Sequence, residues 1–227
     1  MNEYNKLIHG DCLEIMNKIE DKSVSLILTD PPYGMNYRSN RRVATEKFEK
    51  IKNDIDISNL IPEYLKQCYR ILKDDTAIYV FCSWHNIDFF KQEFEKYFKL
   101  KNIIVWNKNN HGTGDLKGSY APKHEFILFG HKGRTLLNEK RISDVIDCGK
   151  IPSKKLTHPT EKPQEILETF IKQSSKIGDI VFDGFMGTGS CGIACNNLDR
   201  IFWGCELDEQ YFEMAINRVS GYIHLTE

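Results

Sequence analysis

Strand-like and helix-like segments alternate along this chain, and the alternation limits its possible folds more than any other feature. Seven short apolar runs have the length and composition of buried strands, at residues 5–9, 23–29, 76–82, 103–106, 125–129, 179–182 and 201–205. Apolar residues at helical spacing predict six helices, at residues 12–19, 60–72, 87–98, 164–173, 190–198 and 209–219. Strands that alternate with helices are typical of an α/β domain built on a mostly parallel sheet.

The composition is typical of one globular domain. The 227 residues are 41% hydrophobic and 28% charged, which is enough apolar material for a single core, so we expect one domain over residues 1–227. No run of about 18 apolar residues predicts a membrane span, and the first residues do not resemble a signal peptide. Seven scattered cysteines lack the spacing of a zinc site and indicate reduced thiols. We therefore expect a cytoplasmic protein without a bound metal.

The predicted strand at 23–29 runs into the tetrapeptide Asp30-Pro31-Pro32-Tyr33. Polar groups at the carboxyl end of a strand lie where open α/β sheets bind ligands. Proline fixes its own backbone and has no amide hydrogen, so this corner is rigid and presents its carbonyl groups as acceptors. The Asp30 carboxylate and the Pro31 carbonyl could accept hydrogen bonds from an amine, beside the flat face of Tyr33. A plain proline-rich turn is the alternative, but it does not explain so narrow a pattern after a buried strand.

A second motif, at residues 178–190, predicts a strand, a glycine-rich turn and the start of a helix. Its sequence, GDIVFDGFMGTGS, lets the backbone approach a cofactor closely at Gly187 and Gly189. The next strand ends near Glu206, and an acid at this place commonly binds the hydroxyl groups of a ribose. The motif therefore predicts a cofactor that contains adenosine, although the glycine pattern alone would also suit NAD.

A third motif, THPTEKP at residues 157–163, precedes a predicted helix. A helix cap would explain one Thr and Pro163, but it leaves His158 and Lys162 without a role. A hydroxyl and an ammonium group beside the cofactor strand could instead hold the carboxylate of an amino acid.

Together these motifs resemble those of the DNA amino-methyltransferases, in the class whose catalytic motif precedes its cofactor motif. Residues 30–33 look like motif IV, residues 182–189 like motif I and residues 158–163 like motif X, while residues 10–12 resemble motif III and Glu206 stands at the motif II acid. The resemblance covers nearly the whole chain. It implies a Rossmann-like methyltransferase fold, with a circularly permuted sheet of seven mostly parallel strands and helices on both faces.

The resemblance implies S-adenosylmethionine as the cofactor. The residues that it assigns to cofactor binding are Asp11, Cys12, His158, Thr160, Lys162, Asp183, Gly184, Phe185, Gly187, Gly189 and Glu206. Gly184 departs from the family, which usually has Pro at this place. Glycine loosens the turn but also permits a close approach of the backbone, so we expect cofactor binding to be retained.

The catalytic residues implied by the resemblance are Asp30, Pro31, Pro32 and Tyr33. A base flipped out of the DNA would stack on Tyr33. Its amine, bound by Asp30 and the Pro31 carbonyl, would attack the sulfonium methyl group directly and in line, and much of the rate would come from alignment. Asp rather than Ser at position 30 favours the N6 of adenine. The N4 of cytosine, or an amine in RNA or protein, is the alternative target.

Two polar regions are predicted to contact DNA. Residues 34–58 have no apolar periodicity and are interpreted as a mobile loop, and residues 107–156 as a partly inserted target-recognition region. The candidate contacts are Arg38, Arg41, Arg42, His111, Lys117 and Tyr120, with solvated loop charge as the alternative for each. A local basic cleft would bind phosphates despite the net charge of −1. The family implies double-stranded DNA as the partner, allows for a homodimer and is typical of bacterial or phage restriction-modification systems.

Two other classes of function compete with this interpretation. An NAD-dependent oxidoreductase would need a full nucleotide-binding half after Gly187, and only about 40 residues remain. A non-catalytic DNA-binding module would not require Asp30 and Lys162 together with an intact cofactor loop. The sequence therefore favours a DNA methyltransferase.

Overall fold

The computed structural model describes residues 4–34, 57–109, 117–149, 161–219 and 222–224. The strands in these ranges are β1 Asn5–His9, β2 Val24–Thr29, β3 Leu72–Cys82, β4 Lys99–Asn107, β5 His124–Lys132, β6 Val145–Asp147, β7 Ile180–Asp183, β8 Ile201–Glu206 and β9 Tyr222–His224. The helices are α1 Cys12–Asn17, α2 Ile57–Ile71, α3 Ile87–Glu95, α4 Gln164–Ser174, α5 Ser190–Asn197 and α6 Glu209–Arg218.

The described strands form one sheet in the order β6-β4-β5-β3-β2-β7-β8-β1-β9. Strand β5 runs antiparallel to its neighbours β3 and β4, and every other neighbouring pair is parallel. The mostly parallel sheet and all seven predicted strands are confirmed. The permuted order is visible at the centre, where β2 from the first part of the chain lies beside β7 from the last part.

Two short edge strands, β6 and β9, bring the described sheet from seven predicted strands to nine. Residues 134–156 carry no strand signal, because Val145 and Asp147 of β6 are both exposed and the segment has no apolar alternation. Strand β6 forms there by pairing with the end of β4, where Asn107 is the partner of Asp147. Strand β6 is therefore an element that the sequence pattern did not predict.

Helices cover both faces of the sheet, as predicted. On one face, α4, α5 and α6 pack through residues such as Phe170, Ala194 and Phe212. On the other face, α1, α2 and α3 pack through residues such as Met16, Leu65 and Phe94. Each apolar helix stripe is buried against the sheet, which is the main stabilising contribution in a domain of this kind.

Helix α2 begins at Ile57, earlier than its apolar periodicity predicts. Ile57 and Ser58 are therefore helical, although the sequence pattern placed them in the mobile loop at 34–58. Ile57 also packs against Gly34, where a Cβ atom would lie 3.1 Å from the Ile57 side chain. The interior of that predicted loop, residues 35–56, lies outside the described residues.

In the described ranges, no helix combines the length and apolar character needed to cross a membrane. All seven cysteines are buried and none forms a disulfide. Their side chains pack as small apolar groups in the two cores.

Candidate active site

The site lies at the edge where the parallel strands β2 and β7 end side by side. Leu26 pairs with Val181 and Ile27 with Phe182, so Asp30 and the glycine-rich turn both leave the sheet at this edge. The Thr29 hydroxyl donates to Oδ1 of Asp183 at 2.9 Å and joins the two strand ends directly. The adjacent ends of parallel strands thus bring together two motifs that are far apart in the chain.

Two contacts hold the Asp30 carboxylate, and a third holds the turn that carries it. Its Oδ1 accepts a hydrogen bond from the Tyr33 hydroxyl, and its Oδ2 pairs with the Lys162 ammonium group. The Asn86 amide donates to the Tyr33 carbonyl and fixes the turn from the start of α3. Pro31 is buried between these groups. The corner therefore presents an oriented carboxylate whose oxygens each keep a second lone pair for another donor.

Lys162 joins Asp30 to a second carboxylate, that of Glu125 on β5. The Lys162 side chain is only 8% exposed, and its Nζ lies 3.4 Å from Oε2 of Glu125. The other Glu125 oxygen pairs with Lys108, which follows β4. Two carboxylates and two ammonium groups thus alternate and balance each other's charge in a largely buried cluster.

Burial and pairing act in opposite directions on the titration of this cluster. Burial raises the pKa of Asp30 above its ordinary value, with a contribution from the Glu125 charge, while Lys162 opposes the shift. Burial also favours neutral Lys162, but the two carboxylates outweigh it and raise the pKa of the ammonium group. Burial would raise the pKa of Glu125 as well, yet Lys162 and Lys108 hold it below the ordinary value. The lysine is therefore charged at neutral pH.

The glycine-rich turn after β7 is fixed by Glu206 at the end of β8. The Gly187 amide donates to Oε2 of Glu206 at 2.9 Å, and the Asp208 amide donates to Oε1 at 2.9 Å. Gly187 has φ +51°, and a Cβ atom added there would meet no atom of the described residues within 4 Å. The turn thus exposes backbone to open space at the edge of the sheet. This arrangement fits a cofactor that approaches the backbone closely, as predicted.

The segment after β1 borders the same turn. The Gly10 amide donates to the Glu206 carbonyl at 2.9 Å, and β1 runs parallel to β8 with His9 opposite Glu206. The Asp11 carboxylate caps α1 by accepting from the Leu13 amide at 2.8 Å. Asp11 and Cys12 therefore lie beside the glycine turn, where the predicted cofactor residues converge, although Asp11 uses one oxygen for its helix.

Gly184 is explained by Tyr64 of α2. A Cβ atom at Gly184 would lie 2.5 Å from the Tyr64 ring, and the Gly184 amide donates to the Tyr64 hydroxyl at 3.2 Å. That hydroxyl in turn donates to Thr29 at 3.0 Å. A proline would both clash and lack the amide hydrogen, so this chain has glycine where the family usually has proline.

We expect Gly184→Ala to destabilise the protein by about 1–3 kcal/mol, because the added methyl group overpacks the site against Tyr64. Urea denaturation would measure the change, with Gly149→Ala as control, since a Cβ atom at Gly149 meets nothing within 4 Å. Replacing the opposing ring in Tyr64→Leu should reduce the loss of stability that Gly184→Ala causes. Equal stability of wild type and Gly184→Ala would contradict the proposed contact.

The structure places many of the predicted site residues at one edge of the sheet. Asp30, Tyr33 and Lys162 contact each other, while Asp183 and Phe185 lie within the turn, where the Phe185 amide donates to Oδ1 of Asp183 at 3.0 Å. Burial raises the pKa of Asp183 to about 7. Of the other predicted residues, Lys117 and Tyr120 are exposed before β5, and six lie outside the described ranges: His158, Thr160, Arg38, Arg41, Arg42 and His111.

Lys162 is not seen in its predicted setting, because the described contacts of its ammonium group are with protein carboxylates. Its assignment to the cofactor stays a prediction. Glu125, by contrast, belongs to none of the sequence motifs, and the structure adds it to the site. A charged side chain inside the apolar run HEFILF is the signal that could have found it, since buried charges require partners.

Trp84 and His85 are a further feature that the sequence pattern did not identify. They follow β3 at the site edge, and the Trp84 ring stacks on His85 with ring centroids 3.8 Å apart. Trp84 is 52% exposed. The Ser83 hydroxyl lies 3.0 Å from Nδ1 of His85, and Asn86 contacts the Tyr33 carbonyl. A large aromatic surface therefore stands in solvent next to the Asp30 corner.

No group of three potential ligands that could hold a metal ion occurs among the described side chains. The lysine ammonium groups, carboxylates and aromatic rings of the site instead suit polar organic groups. An amine can be bound at Asp30, and a nucleoside can lie against the glycine turn.

Comparison with known proteins extends these observations. The sequence profile of the DNA methylase family matches residues 24–217. The chain is 29% identical to the DNA adenine methyltransferase YhdJ of Escherichia coli K12, over 98% of this chain and 85% of that protein. It is 31% identical to the type II methyltransferase M.HinfI of Haemophilus influenzae, over 95% of this chain and 68% of that protein. The crystal structure of the M1.HpyAVI-SAM complex superposes with a TM-score of 0.71 at 27% identity, over 94% of this chain and 99% of that chain.

Proposed function

Since the chain belongs to the DNA methylase family, we propose that it transfers a methyl group from S-adenosylmethionine to the N6 amine of adenine in DNA. The observation that carries this proposal is the contact between Thr29 and Asp183, which holds an amine-binding corner and a nucleoside-binding turn at one edge of the sheet. Either motif alone would fit several activities. Their juxtaposition fits transfer of a group from a nucleoside cofactor to an amine.

In this function the described residues bind and orient the two reactants. Gly187 and the Glu206 carboxylate border the space for the adenosine part of the cofactor, next to Asp11, and Gly189 follows in the same turn. S-adenosylmethionine supplies an electrophilic methyl group on a sulfonium, and its transfer to nitrogen leaves S-adenosylhomocysteine. Asp30 and the Pro31 carbonyl accept hydrogen bonds from the amine and so aim its lone pair.

Asp30 also accounts for the charge that develops on the substrate. As the new nitrogen–carbon bond forms, positive charge grows on the amine nitrogen, and a nearby carboxylate stabilises it. The nitrogen then loses a proton to water, which restores the neutral methylated amine. No protein nucleophile is needed, which agrees with cysteines that are all buried.

Adenine is the proposed target for two reasons. An Asp at the first position of the catalytic motif favours N6 of adenine within the resemblance, and YhdJ is named a DNA adenine methyltransferase. The N4 amine of cytosine has similar chemistry and is the alternative target. An oxidoreductase is not supported, because the family to which the chain belongs transfers methyl groups to DNA.

The proposal is tested by expressing the chain in a bacterial host that lacks its own DNA methylation. Single-molecule sequencing of the host DNA should reveal N6-methyladenine at one short sequence, which also identifies the recognition site. N4-methylcytosine would establish the alternative, and unmodified DNA together with calorimetric binding of NAD instead of S-adenosylmethionine would overturn the proposal. The same calorimetry with the purified protein separates cofactor binding from catalysis.

The DNA-binding surface includes the two polar regions and, in our proposal, the exposed ring of Trp84. Within residues 107–156, β5 belongs to the central sheet, so target recognition is assigned to the segments that flank it. Lys117 and Tyr120 are both exposed in one of them. The DNA contacts of Lys117 and Tyr120 stay predictions, as do those of Arg38, Arg41, Arg42 and His111. The preference for double-stranded DNA and the homodimer also stay predictions.

Trp84→Ala should weaken binding to a duplex that contains the recognition site by about tenfold, because stacking of a base on an aromatic ring is worth about 1–3 kcal/mol. Affinity for S-adenosylmethionine should not change. Fluorescence anisotropy measures the first quantity and calorimetry the second. Tyr4→Ala is the matched control, since Tyr4 is 55% exposed but precedes β1 at the opposite edge. Equal DNA affinity of Trp84→Ala and Tyr4→Ala would argue against this contact.

A further inference from the structure

We propose that Lys162 and Glu125 are positioning residues for Asp30: the Lys162 ammonium group, anchored by Glu125, keeps the Asp30 carboxylate anionic and oriented toward the substrate amine. In this role Lys162 does not bind the carboxylate of the cofactor. The inference rests on the proposed methyl transfer, since it assigns how the amine-binding group of that reaction is prepared.

The Lys162 ammonium group is enclosed by carboxylates and aromatic rings. Its Nζ contacts Asp30 and Glu125 and lies 5.0 Å from the centroid of the Phe81 ring and 5.9 Å from that of Tyr33. Two rings and two carboxylates therefore surround a side chain that is 8% exposed. The two carboxylates and the two rings stabilise the cation in this position. If the Lys162 side chain turned outward to bind a small molecule, it would lose the contacts that compensate for its burial.

The positive and negative charges of the cluster balance each other among the described residues. Asp30 and Glu125 carry two negative charges, and Lys162 and Lys108 carry two positive charges. A third carboxylate, from the cofactor, would leave this buried group with an unbalanced negative charge, which is costly away from water. Among the described residues, the charges of the cluster balance without any bound ligand.

The buried Glu125 carboxylate depends on Lys162 for charge compensation. Oε2 of Glu125 is buried and accepts no hydrogen bond from the described residues, so its compensation is the Lys162 charge 3.4 Å away. The other oxygen is bound by Lys108. Glu125 is thus fixed at one end and attracts Lys162 at the other, which holds the ammonium group against Asp30.

Loss of Lys162 would change the ionisation of Asp30. Burial already raises the pKa of Asp30, and among the described residues the other groups that face it are Tyr33 on its own turn, Cys82 of β3, Glu125 of β5 and Asp183 of β7. None of these is a cation. Removing Lys162 would therefore raise the pKa further, and a protonated Asp30 would be a poorer acceptor for the amine.

The test compares Lys162→Gln, which removes the charge but keeps a donor, with Lys172→Gln on the exposed side of α4 as control. Methyl transfer requires the Asp30 carboxylate, so the rate falls as pH drops through its pKa. We expect Lys162→Gln to move this acid limb of the single-turnover rate upward by at least about one pH unit. Affinity for S-adenosylmethionine should stay within about threefold, and the control should change neither quantity.

Glu125→Gln gives the opposite sign and guards against a general loss of structure. It removes a negative charge near Asp30, while the remaining amide oxygen can still accept from the Lys162 ammonium group and keep it against Asp30, so the acid limb should move to lower pH. A structural defect alone would not shift the two limbs in opposite directions. An unmoved limb in both variants would overturn the proposal, as would a loss of S-adenosylmethionine affinity of more than about tenfold in Lys162→Gln, which would make Lys162 a cofactor ligand.

The ionisation of Asp30 can also be followed without catalysis. Carbon-13 NMR of aspartate carboxyl groups, with the Asp30 signal identified by its absence in Asp30→Asn, reports the titration in wild type and Lys162→Gln. A higher midpoint in the variant supports the positioning role even if the wild type methylates no DNA. Equal midpoints contradict that role even if the wild type is active, so the two proposals fail separately.

Discussion

Replacing Asp30 with asparagine is expected to lower the rate of methyl transfer by about 10³-fold or more while leaving S-adenosylmethionine affinity nearly unchanged. Asparagine has almost the same shape, but it is neutral, and its amide nitrogen donates hydrogen bonds. The substrate amine would therefore lose a carboxylate that both orients it and stabilises its developing positive charge. The Lys162 ammonium group would also lose one of its two carboxylate partners.

The rate is measured in single turnovers with radiolabelled S-adenosylmethionine and a duplex that contains the recognition sequence. Asp21→Asn is the control, because Asp21 carries an exposed carboxylate before β2, at the edge opposite Asp30. Its rate should match that of the wild type. Turnover of Asp30→Asn within about tenfold of wild type would exclude the proposed role of this carboxylate.

The second large effect is expected from Gly187→Asp, which should weaken S-adenosylmethionine binding by about 100-fold, or about 2.8 kcal/mol. The new Cβ atom would point into space where the described part of the chain has no atom within 4 Å. The added carboxylate would also lie near Glu206, whose oxygen binds the Gly187 amide. The side chain thus occupies the proposed cofactor space and brings a second negative charge to it.

Gly178→Asp is a matched control for the strain of the substitution. Gly178 has φ +79°, comparable to the +51° of Gly187, and a Cβ atom there also meets nothing within 4 Å. It precedes β7, so it lies at the edge of the sheet away from the site. Both variants should lose similar thermal stability, and only Gly187→Asp should lose affinity in calorimetry. Equal affinity of the two variants would place the cofactor elsewhere.

Much of this site could be predicted because its two central motifs are local in sequence and follow strands. Asp30 comes directly after the buried strand β2, and Gly187 follows β7. Parallel strands end at a common edge, so the strand pattern and the family resemblance together suffice to bring the motifs near each other. The direct neighbourhood of β2 and β7 is the part that the permuted order supplies.

The contacts between side chains could not be predicted in the same way. Glu125 contacts Lys162 because β5 is antiparallel to its neighbour β3. Its first residues therefore lie at the site edge, where the parallel strands end. Tyr64 has the spacing of a core residue on α2, and its polar contacts to Thr29 and Gly184 depend on how that helix packs. Strand β6 was missed because exposed edge residues lack a periodic pattern. Each of these depends on tertiary packing rather than on local sequence.

The reversed direction of β5 has a consequence for how such a protein can change its target. Strands β4 and β5 form a hairpin whose connection opens beside Asp30, and the Lys108 amide donates to the Lys123 carbonyl at 2.9 Å to close its base. Because both ends of the connection are fixed at one point, its length and composition can vary with little effect on the sheet. Under the proposed function, which assigns target recognition to this connection, exchanging it alone would give a new DNA sequence preference and leave the catalytic residues unchanged.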